Sequence, residues 1–197
     1  MGRTPDRRYR RTEQRLQTAL LSLIRTRGFQ SLTVQDIADE AGVARKTFYA
    51  HHADKHELLW VSLEGVFDAI TESLTHLDPD TLLVEGKPLS YPVYKHMAEY
   101  HVFYREMLHE AGTTAFLLRL WDYIAQVSYN KHSPLRQMAK EVLVPPPHLA
   151  QMLSGALLGS MRWWLEQESP PTPEAMAYTF SQVMAPGVLN VLGLEWG

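Results

Sequence analysis

Apolar residues recur with the spacing of an α-helix in every long segment of this chain. The first such segment spans residues 11–27, and its apolar side chains share one helical face: Leu16, Ala19, Leu20, Leu23 and Ile24. Proline and glycine separate the segments, and no alternating pattern bounded by hairpin turns interrupts them. The periodicity therefore predicts an all-α fold, in which a short three-helix domain precedes a larger helical domain.

Capping residues and helix breakers indicate where the other helices begin and end. Thr33 and Asp36 form a capping box that starts a second helix, and Gly42 ends it. Further helices are expected over residues 44–51, 54–77, 91–110, 113–130, 148–167 and from 173 onward, with a shorter segment between 134 and 145. Pro186 is expected to kink or end the last of them.

Basic residues are concentrated in the first part of the chain. Residues 1–56 hold 11 Lys and Arg against 6 Asp and Glu, a net charge of +5, whereas residues 57–197 hold 8 against 16, a net charge of −8. A basic head on an acidic body predicts that the head meets a polyanion. Taken alone, the charge count favours a merely solvated face equally. We place the domain boundary between these two ranges.

Composition and missing motifs exclude several classes of protein. The chain has no cysteine, which rules out a disulfide scaffold, a thiol nucleophile and a cysteine–zinc site. Its longest apolar run, GVLNVLGL, is far shorter than the roughly 18 residues of a membrane span, and we find no secretory signal. His52 and His56 are four residues apart but lack an HExxH context. We therefore expect a cytoplasmic protein with no membrane contact, no metal, no cofactor and no enzyme activity.

The segment from Thr33 to Lys55 predicts two short helices joined by a tight turn. Gly42 can adopt the positive φ that such a turn needs, and Val43 and Phe48 supply apolar contacts that fix the helix crossing. The second helix then projects five polar side chains outward: Arg45, Lys46, Thr47, Tyr49 and His51. This mixture is typical of a helix that contacts phosphates and base edges. An ordinary helical hairpin, a helical enzyme and a protein-binding adaptor are the alternatives.

The run TVQDIADEAGVARKTFYAHHADKHELL, residues 33–59, resembles the DNA-binding domain of the TetR family of transcriptional regulators. The resemblance implies a helix-turn-helix domain, an effector-binding domain, a homodimer and a palindromic double-stranded DNA operator. Tyr49, His51 and Lys55 would hold phosphates, and Thr33 would add its helix N-terminus. The residues implied to read base edges are Arg45, Lys46 and Thr47.

Two residues depart from the family pattern. His52 stands where the family usually has phenylalanine, so its imidazole must find a hydrogen-bond partner or lie partly exposed. Ala44 stands where serine or threonine often caps the recognition helix. Four arginines before this segment form either an arm along the DNA or a merely solubilising tail: Arg7, Arg8, Arg10 and Arg11.

Aromatic residues and methionines are dense over residues 91–129, where they either line an apolar pocket or fill the core. For any single residue, a core position is the plainer interpretation. The candidate effector contacts are Tyr94, Met97, Tyr100, Phe103, Tyr104, Met107 and Trp121. His96, His101 and His109 either orient the ligand or are surface or hydrogen-bonded histidines, and the second interpretation is the plainer one for each. The composition points to a small apolar or aromatic effector.

The predicted helix over residues 148–167 is apolar nearly all round, so it needs two partners. One is its own subunit. The resemblance implies that this helix and the last helix also pair with their symmetry mates in a second chain. The candidate dimer contacts are Gly155, Leu158, Gly159, Arg162, Phe180 and Met184. By family analogy, the expected function is repression that the effector relieves.

Overall fold

The computed structural model describes residues 7–73, 88–108, 114–139 and 141–194. Within these ranges every regular element is a helix, which confirms the all-α prediction. In chain order the described helices are α1 (Arg7–Arg27), α2 (Val34–Glu40), α3 (Arg45–Tyr49), α4 (Lys55–Ser73), α5 (Tyr91–Glu99), α6 (His101–Leu108), α7 (Thr114–Lys131), α8 (Ser133–Met138), α9 (Pro146–Leu165) and α10 (Pro173–Val191). None of these described helices has the length and hydropathy to cross a membrane.

The chain divides into two compact units, an N-terminal unit of residues 1–68 and a C-terminal unit of residues 69–197. The division falls inside α4, whereas we expected a domain boundary at residue 57. The difference has a physical reason in the first turns of α4. Leu58, Leu59 and Leu63 are almost fully buried there, so this part of the helix belongs to the apolar core and is no linker.

In the N-terminal unit, α2 packs against α1 and α3. The unit is built on side chains that have no exposed surface at all: Leu16, Leu20, Phe29, Ile37, Phe48 and Leu58. The predicted inner face of α1 is confirmed at Leu16, Ala19, Leu20 and Ile24, which are buried, whereas Leu23 at its edge is half-buried. Apolar burial of this kind is the main force that holds short helices together.

The turn between α2 and α3 depends on Gly42, which has a φ of 61°. Other residues rarely adopt this left-handed conformation, because their Cβ atoms approach the backbone too closely. Two hydrogen bonds fix the turn on either side of the glycine. The Val43 amide donates to the Ala38 carbonyl at 2.9 Å, and the Arg15 guanidinium of α1 donates to the Gly42 carbonyl at 2.9 Å.

In the C-terminal unit, α9 packs along α7, and α10 packs along α5. Its interior contains large side chains that are at most 2% exposed: Tyr94, Tyr104, Met97, Met107 and Leu189. A second cluster of buried residues surrounds the end of α10 and includes Leu135, Leu149 and Leu192. The predicted helices of this unit are therefore present. Three differences in detail concern two helices of this unit and the first helix of the N-terminal unit.

The first difference is that the helix expected over residues 91–110 is divided in two at Tyr100, which has φ −120° and ψ 31°. No proline or glycine lies near this residue, so the sequence carries no breaker signal. The change of direction brings two side chains eight residues apart, His96 and Tyr104, within 2.9 Å of each other.

The other two differences concern helix ends. The last helix continues through Pro186 to Val191, because Val188 and Leu189 beyond the proline are buried while Pro186 itself is exposed. The first helix begins at Arg7, so the four N-terminal arginines belong to α1 and form no extended arm here. Residues 74–77 of the predicted fourth helix lie outside the described residues.

Two glycine-to-alanine substitutions test the turn. Gly42→Ala should lower the free energy of unfolding by about 1–2 kcal/mol, because alanine is strained at positive φ. Gly65→Ala is the matched control in the same unit, since Gly65 lies inside α4 and an added Cβ would meet nothing within 4 Å. This control should raise the free energy of unfolding by about 0.5–1 kcal/mol. Urea unfolding followed by circular dichroism measures both, and equal effects of the two substitutions would contradict the assignment.

Candidate nucleic-acid interface and effector site

The short helix α3 is anchored from one side and exposed on the other. Phe48 has no exposed surface, while Arg45, Lys46 and Tyr49 are exposed and Thr47 is half-buried. The Arg45 guanidinium lies 5.5 Å from the centre of the Tyr49 ring and donates to the Tyr49 hydroxyl at 3.3 Å. The helix therefore presents a cation, an aromatic ring and a second cation to solvent on a rigid backbone.

The Thr33 side chain caps the N-terminus of α2. Its hydroxyl accepts from the Asp36 amide at 3.1 Å, and the Asp36 carboxylate accepts from the Thr33 amide at 2.8 Å. This geometry confirms the predicted capping box. Hydrogen bonds from the Thr33 side chain and from Arg27 hold the pKa of Asp36 well below its ordinary value. The carboxylate thus stays charged and keeps the helix start in place.

Lys55 lies at the first residue of α4, and its ammonium group points into the N-terminal unit. It donates to the carbonyls of Phe29, Gln30 and Leu32 at 3.1, 3.1 and 2.8 Å. It also lies 4.6 Å from the centre of the Phe29 ring. An ammonium group has three donor protons, so these carbonyls match its full donor capacity. Lys55 thus holds the segment between α1 and α2, and the phosphate contact expected of it stays a prediction.

His51 and His52 also turn inward, toward Glu13 of α1. His51 Nδ1 lies 2.9 Å from Glu13 Oε2, and its side chain is only 6% exposed. Tyr9 stacks on the His51 ring with 4.0 Å between the ring centres. His52 is buried, and its Nε2 lies 3.0 Å from Glu13 Oε1. The His52 imidazole, at the departure from the family pattern, thus has a partner at Nε2. His51 also pairs with Glu13, and the phosphate contact expected of it stays a prediction.

Among the described residues of the N-terminal unit, the remaining arginines and lysines are on α1. Its first turns carry exposed arginines at Arg7, Arg8, Arg10 and Arg11. Sequence reasoning missed Arg15 and Glu13, which position the turn and the two histidines. No sequence signal marks them, because their partners lie 27 to 39 residues further along the chain.

The candidate effector residues separate into a buried set and an accessible set. Tyr94, Met97, Tyr104 and Met107 are buried, whereas Tyr100 is 49% and Trp121 is 38% exposed and Phe103 is half-buried. Among the candidate histidines, His101 is exposed, and His109 lies outside the described residues.

Two hydrogen-bonded pairs place polar atoms inside this apolar set. The Tyr94 hydroxyl pairs with Ser160 at 2.7 Å, and the Tyr104 hydroxyl pairs with His96 at 2.9 Å. Burial raises the pKa of Tyr94 and of Tyr104, and burial lowers the pKa of His96. All three groups are therefore neutral near pH 7.

The candidate dimer residues also separate. A Cβ at Gly155 would meet the Trp121 ring of the same chain at 2.9 Å, so this glycine serves the approach of α7 to α9. Leu158 is buried within its own chain. Gly159 and Arg162 are exposed, and Phe180 and Met184 are half-buried. Gly155 and Leu158 therefore serve contacts within the chain, whereas Gly159 and Arg162 are open to solvent.

Comparison with known proteins assigns most of the chain. Residues 17–59 match the family described as bacterial regulatory proteins, tetR family, and residues 87–186 match a transcriptional regulator C-terminal region of the same group. MftR of Mycobacterium tuberculosis is 24% identical over 91% of this chain and 92% of its own length. MftR is provisionally described as a mycofactocin biosynthesis transcriptional regulator. The HTH-type transcriptional regulator YxbF of Bacillus subtilis, itself uncharacterized, is 24% identical over 84% of this chain, which spans only 42% of YxbF.

A solved structure shows the same fold. The TetR-family transcriptional repressor FadR of Thermus thermophilus, in complex with lauroyl-CoA, superimposes with a TM-score of 0.69 over 90% of this chain and 95% of its own. The two sequences are 18% identical. The order of a helix-turn-helix unit and a helical C-terminal unit is therefore common to both proteins.

Two lysine substitutions distinguish a structural role from a phosphate contact. Lys55→Met keeps the aliphatic stem but removes the charged hydrogen bonds, and should lower the free energy of unfolding by about 2 kcal/mol. Lys46→Met is the control, because Lys46 is exposed on α3 and its loss should leave stability within about 0.5 kcal/mol. Denaturant unfolding and DNA titration are measured on both variants. Weakened DNA binding by Lys55→Met at unchanged stability would contradict the structural role.

Proposed function

The chain belongs to the TetR family of transcriptional regulators, and we propose that it binds a palindromic operator as a homodimer and is released by a small apolar effector. The observation that carries the DNA part is the geometry of α3. A fully buried Phe48 holds a five-residue helix whose Arg45, Lys46 and Tyr49 side chains face solvent. Family members are DNA-binding transcription factors and no enzymes, which sets aside the helical-enzyme alternative.

We assign different tasks to the residues around α3. Arg45, Lys46 and Thr47 reach base edges in the major groove, where long donors discriminate among base pairs. Tyr49 binds a phosphate through its hydroxyl, which also accepts a hydrogen bond from Arg45. Lys55 and His51 support α3 indirectly by stabilising the unit, because their polar atoms bond within it.

Binding to paired DNA duplexes tests this division. Arg45→Ala and Lys46→Ala should each cost about 1–3 kcal/mol on the preferred sequence and change which sequence is preferred. Tyr49→Phe should weaken binding to every duplex alike, as loss of a phosphate contact does. Arg105→Ala, an exposed arginine of α6 in the other unit, serves as the control. Mobility-shift titrations at two salt concentrations give the affinities, and an unchanged preference in both Arg45→Ala and Lys46→Ala would refute the assignment of base readers.

The homodimer is supported by apolar side chains that α9 and α10 leave exposed. Met152 and Trp163 of α9 are 56% and 51% exposed, and Val183 of α10 is 62% exposed. Met152, Gly159 and Trp163 lie at offsets of 7 and 11 residues, which places them on one face of the helix. Large apolar side chains left exposed on one face of a helix favour an interaction site there, and Gly159 allows a second helix to approach closely.

A charge on that face should separate the subunits. Gly159→Glu buries a carboxylate in the proposed interface, and we expect it to shift the protein from dimer to monomer at micromolar concentration, because an unpaired buried charge is strongly unfavourable. Gly65→Glu makes the same change in open space on α4 and should leave the dimer intact. Sedimentation velocity measures both variants. A wild-type monomer, or a dimeric Gly159→Glu variant, would rule out this interface.

The effector is proposed to pack its apolar body against Tyr100, Phe103 and Trp121 and to hydrogen-bond to the neutral His96–Tyr104 pair. Apolar walls with a few fixed polar groups are the usual composition of small-molecule sites. The lauroyl-CoA complex of FadR supports an acyl ligand as one candidate class, and small phenols are another. Because α4 contributes residues to both units, we propose that it transmits the change. The ligand can act only if it binds the two conformations differently.

Thermal stabilisation by acyl thioesters and phenols identifies the ligand. We expect a compound that raises the melting temperature, releases DNA and binds more weakly to Tyr104→Phe, which loses only the hydroxyl that pairs with His96. Tyr129→Phe, on the exposed surface of α7, is the control and should bind as the wild type does. Equal binding to both variants would count against the proposed site. A tight binder that leaves DNA affinity unchanged would count against the switch.

A further inference from the structure

Three side chains of the kinds that bind metal ions meet inside the N-terminal unit, although no motif in the sequence predicts that they lie together. Glu13 comes from α1, and His51 and His52 come after Ala50, the C-cap of α3. His51 Nδ1 and His52 Nε2 lie 2.9 and 3.0 Å from the Glu13 carboxylate oxygens. One ligand atom from each residue lies within 4.8 Å of the other two.

We propose that Glu13, His51 and His52 form a binding site for Zn²⁺ or a similar divalent transition-metal ion. Two imidazoles and one carboxylate are a frequent protein ligand set for zinc, with bonds of about 2.0–2.2 Å. Ligand atoms around a tetrahedral ion with such bonds are about 3.3 Å apart. The two observed separations from Glu13 are therefore shorter than this value by only a few tenths of an ångström, and small side-chain rotations admit the ion.

Burial and stacking prepare the site for a cation. The side chains of His51 and His52 are 6% and 4% exposed, and the Glu13 side chain is 18% exposed. The stacked Tyr9 ring fixes His51, and Phe48 lies beside the His52 ring. Little conformational freedom is then lost when the ligands are fixed on the ion. With neutral imidazoles, the carboxylate leaves a net negative charge that attracts a divalent ion.

A packing role alone does not account for His52. Its Nδ1 atom is buried and has no hydrogen-bond partner, and leaving a polar atom unpaired in this way costs stability. An apolar ring of similar size would fill the position without that cost. The Glu13 contact and the proposed ion both use Nε2 and both give a reason for an imidazole there, while Nδ1 stays without a partner in either case. The ion would then link α1 to the chain that leaves α3, independently of whether that helix binds DNA.

The test uses the full chain, free of any affinity tag, titrated with ZnCl₂ in a calorimeter at about pH 7.5, where ordinary imidazole is mostly neutral. We expect one ion per chain. His52→Phe and Glu13→Gln should each weaken the affinity for zinc by more than about tenfold. Removing only an outer partner of a metal ligand already costs about that much, and these variants remove a ligand itself. His148→Ala removes an exposed histidine of α9 and serves as the control, with unchanged affinity. Circular dichroism verifies that each variant folds.

A second measurement on the wild-type protein covers the case in which a variant fails to fold. In a nitrogen-15 spectrum of the histidine rings, ZnCl₂ should shift the signals of His51 and His52 and leave those of His101 and His148 in place. The proposal is overturned if the wild type and both variants bind zinc equally. It is also overturned if the ring signals of His51 and His52 do not respond.

Discussion

The burial of Phe48 is the interaction on which the proposed DNA-reading surface depends. A helix of five residues does not persist in water, because nucleation is too costly for so few hydrogen bonds. Phe48 is completely buried, and the turn at Gly42 sets the direction from which α3 arrives. The Arg15 guanidinium then fastens that turn to α1. The exposed cations of α3 are ordered only because these contacts hold the other side of the helix.

Charged and polar groups of the same unit divide into two kinds by where their partners lie. Lys55, Glu13 and Asp36 bond inside the unit to backbone carbonyls, imidazoles, an arginine and a threonine. These charged contacts hold the helices of the unit together. Arg45 and Lys46 face outward, together with the arginines of the first turns of α1. Attraction of phosphates needs accessible positive charge. Within the described residues of this unit, the outward-facing arginines and Lys46 supply it.

Features that depend on neighbouring residues could be predicted from the sequence. The capping box of Thr33 and Asp36, the glycine turn and the apolar face of α1 each follow from residues within one or two helical turns. Contacts between distant residues could not be predicted. Lys55 is separated from its three carbonyl partners by 23 to 26 residues, and Glu13 is separated from the histidines by 38 and 39. The resemblance to a family suggested phosphate contacts for Lys55 and His51, but it carried no information on how this chain packs them.

The break at Tyr100 illustrates the same limit in the C-terminal unit. No proline or glycine marks the change of direction, and Tyr100, His101 and Val102 have only modest helix propensity. Such weak local preference does not locate the break, and tertiary packing decides it, with Tyr94 and Tyr104 buried on either side. Pro186 is the converse case, a strong local breaker that the buried residues Val188 and Leu189 overcome.

Selection of bound duplexes from a random DNA pool tests the central claim most directly, because it assumes neither the operator nor the effector. If a symmetric dimer presents two copies of α3, the selected sequences should converge on an inverted repeat. Its half-sites should be spaced so that both face one side of the duplex, about one helical turn or a multiple of it apart. A selected pool that is indistinguishable from the starting pool, or one without inverted symmetry, would contradict the account.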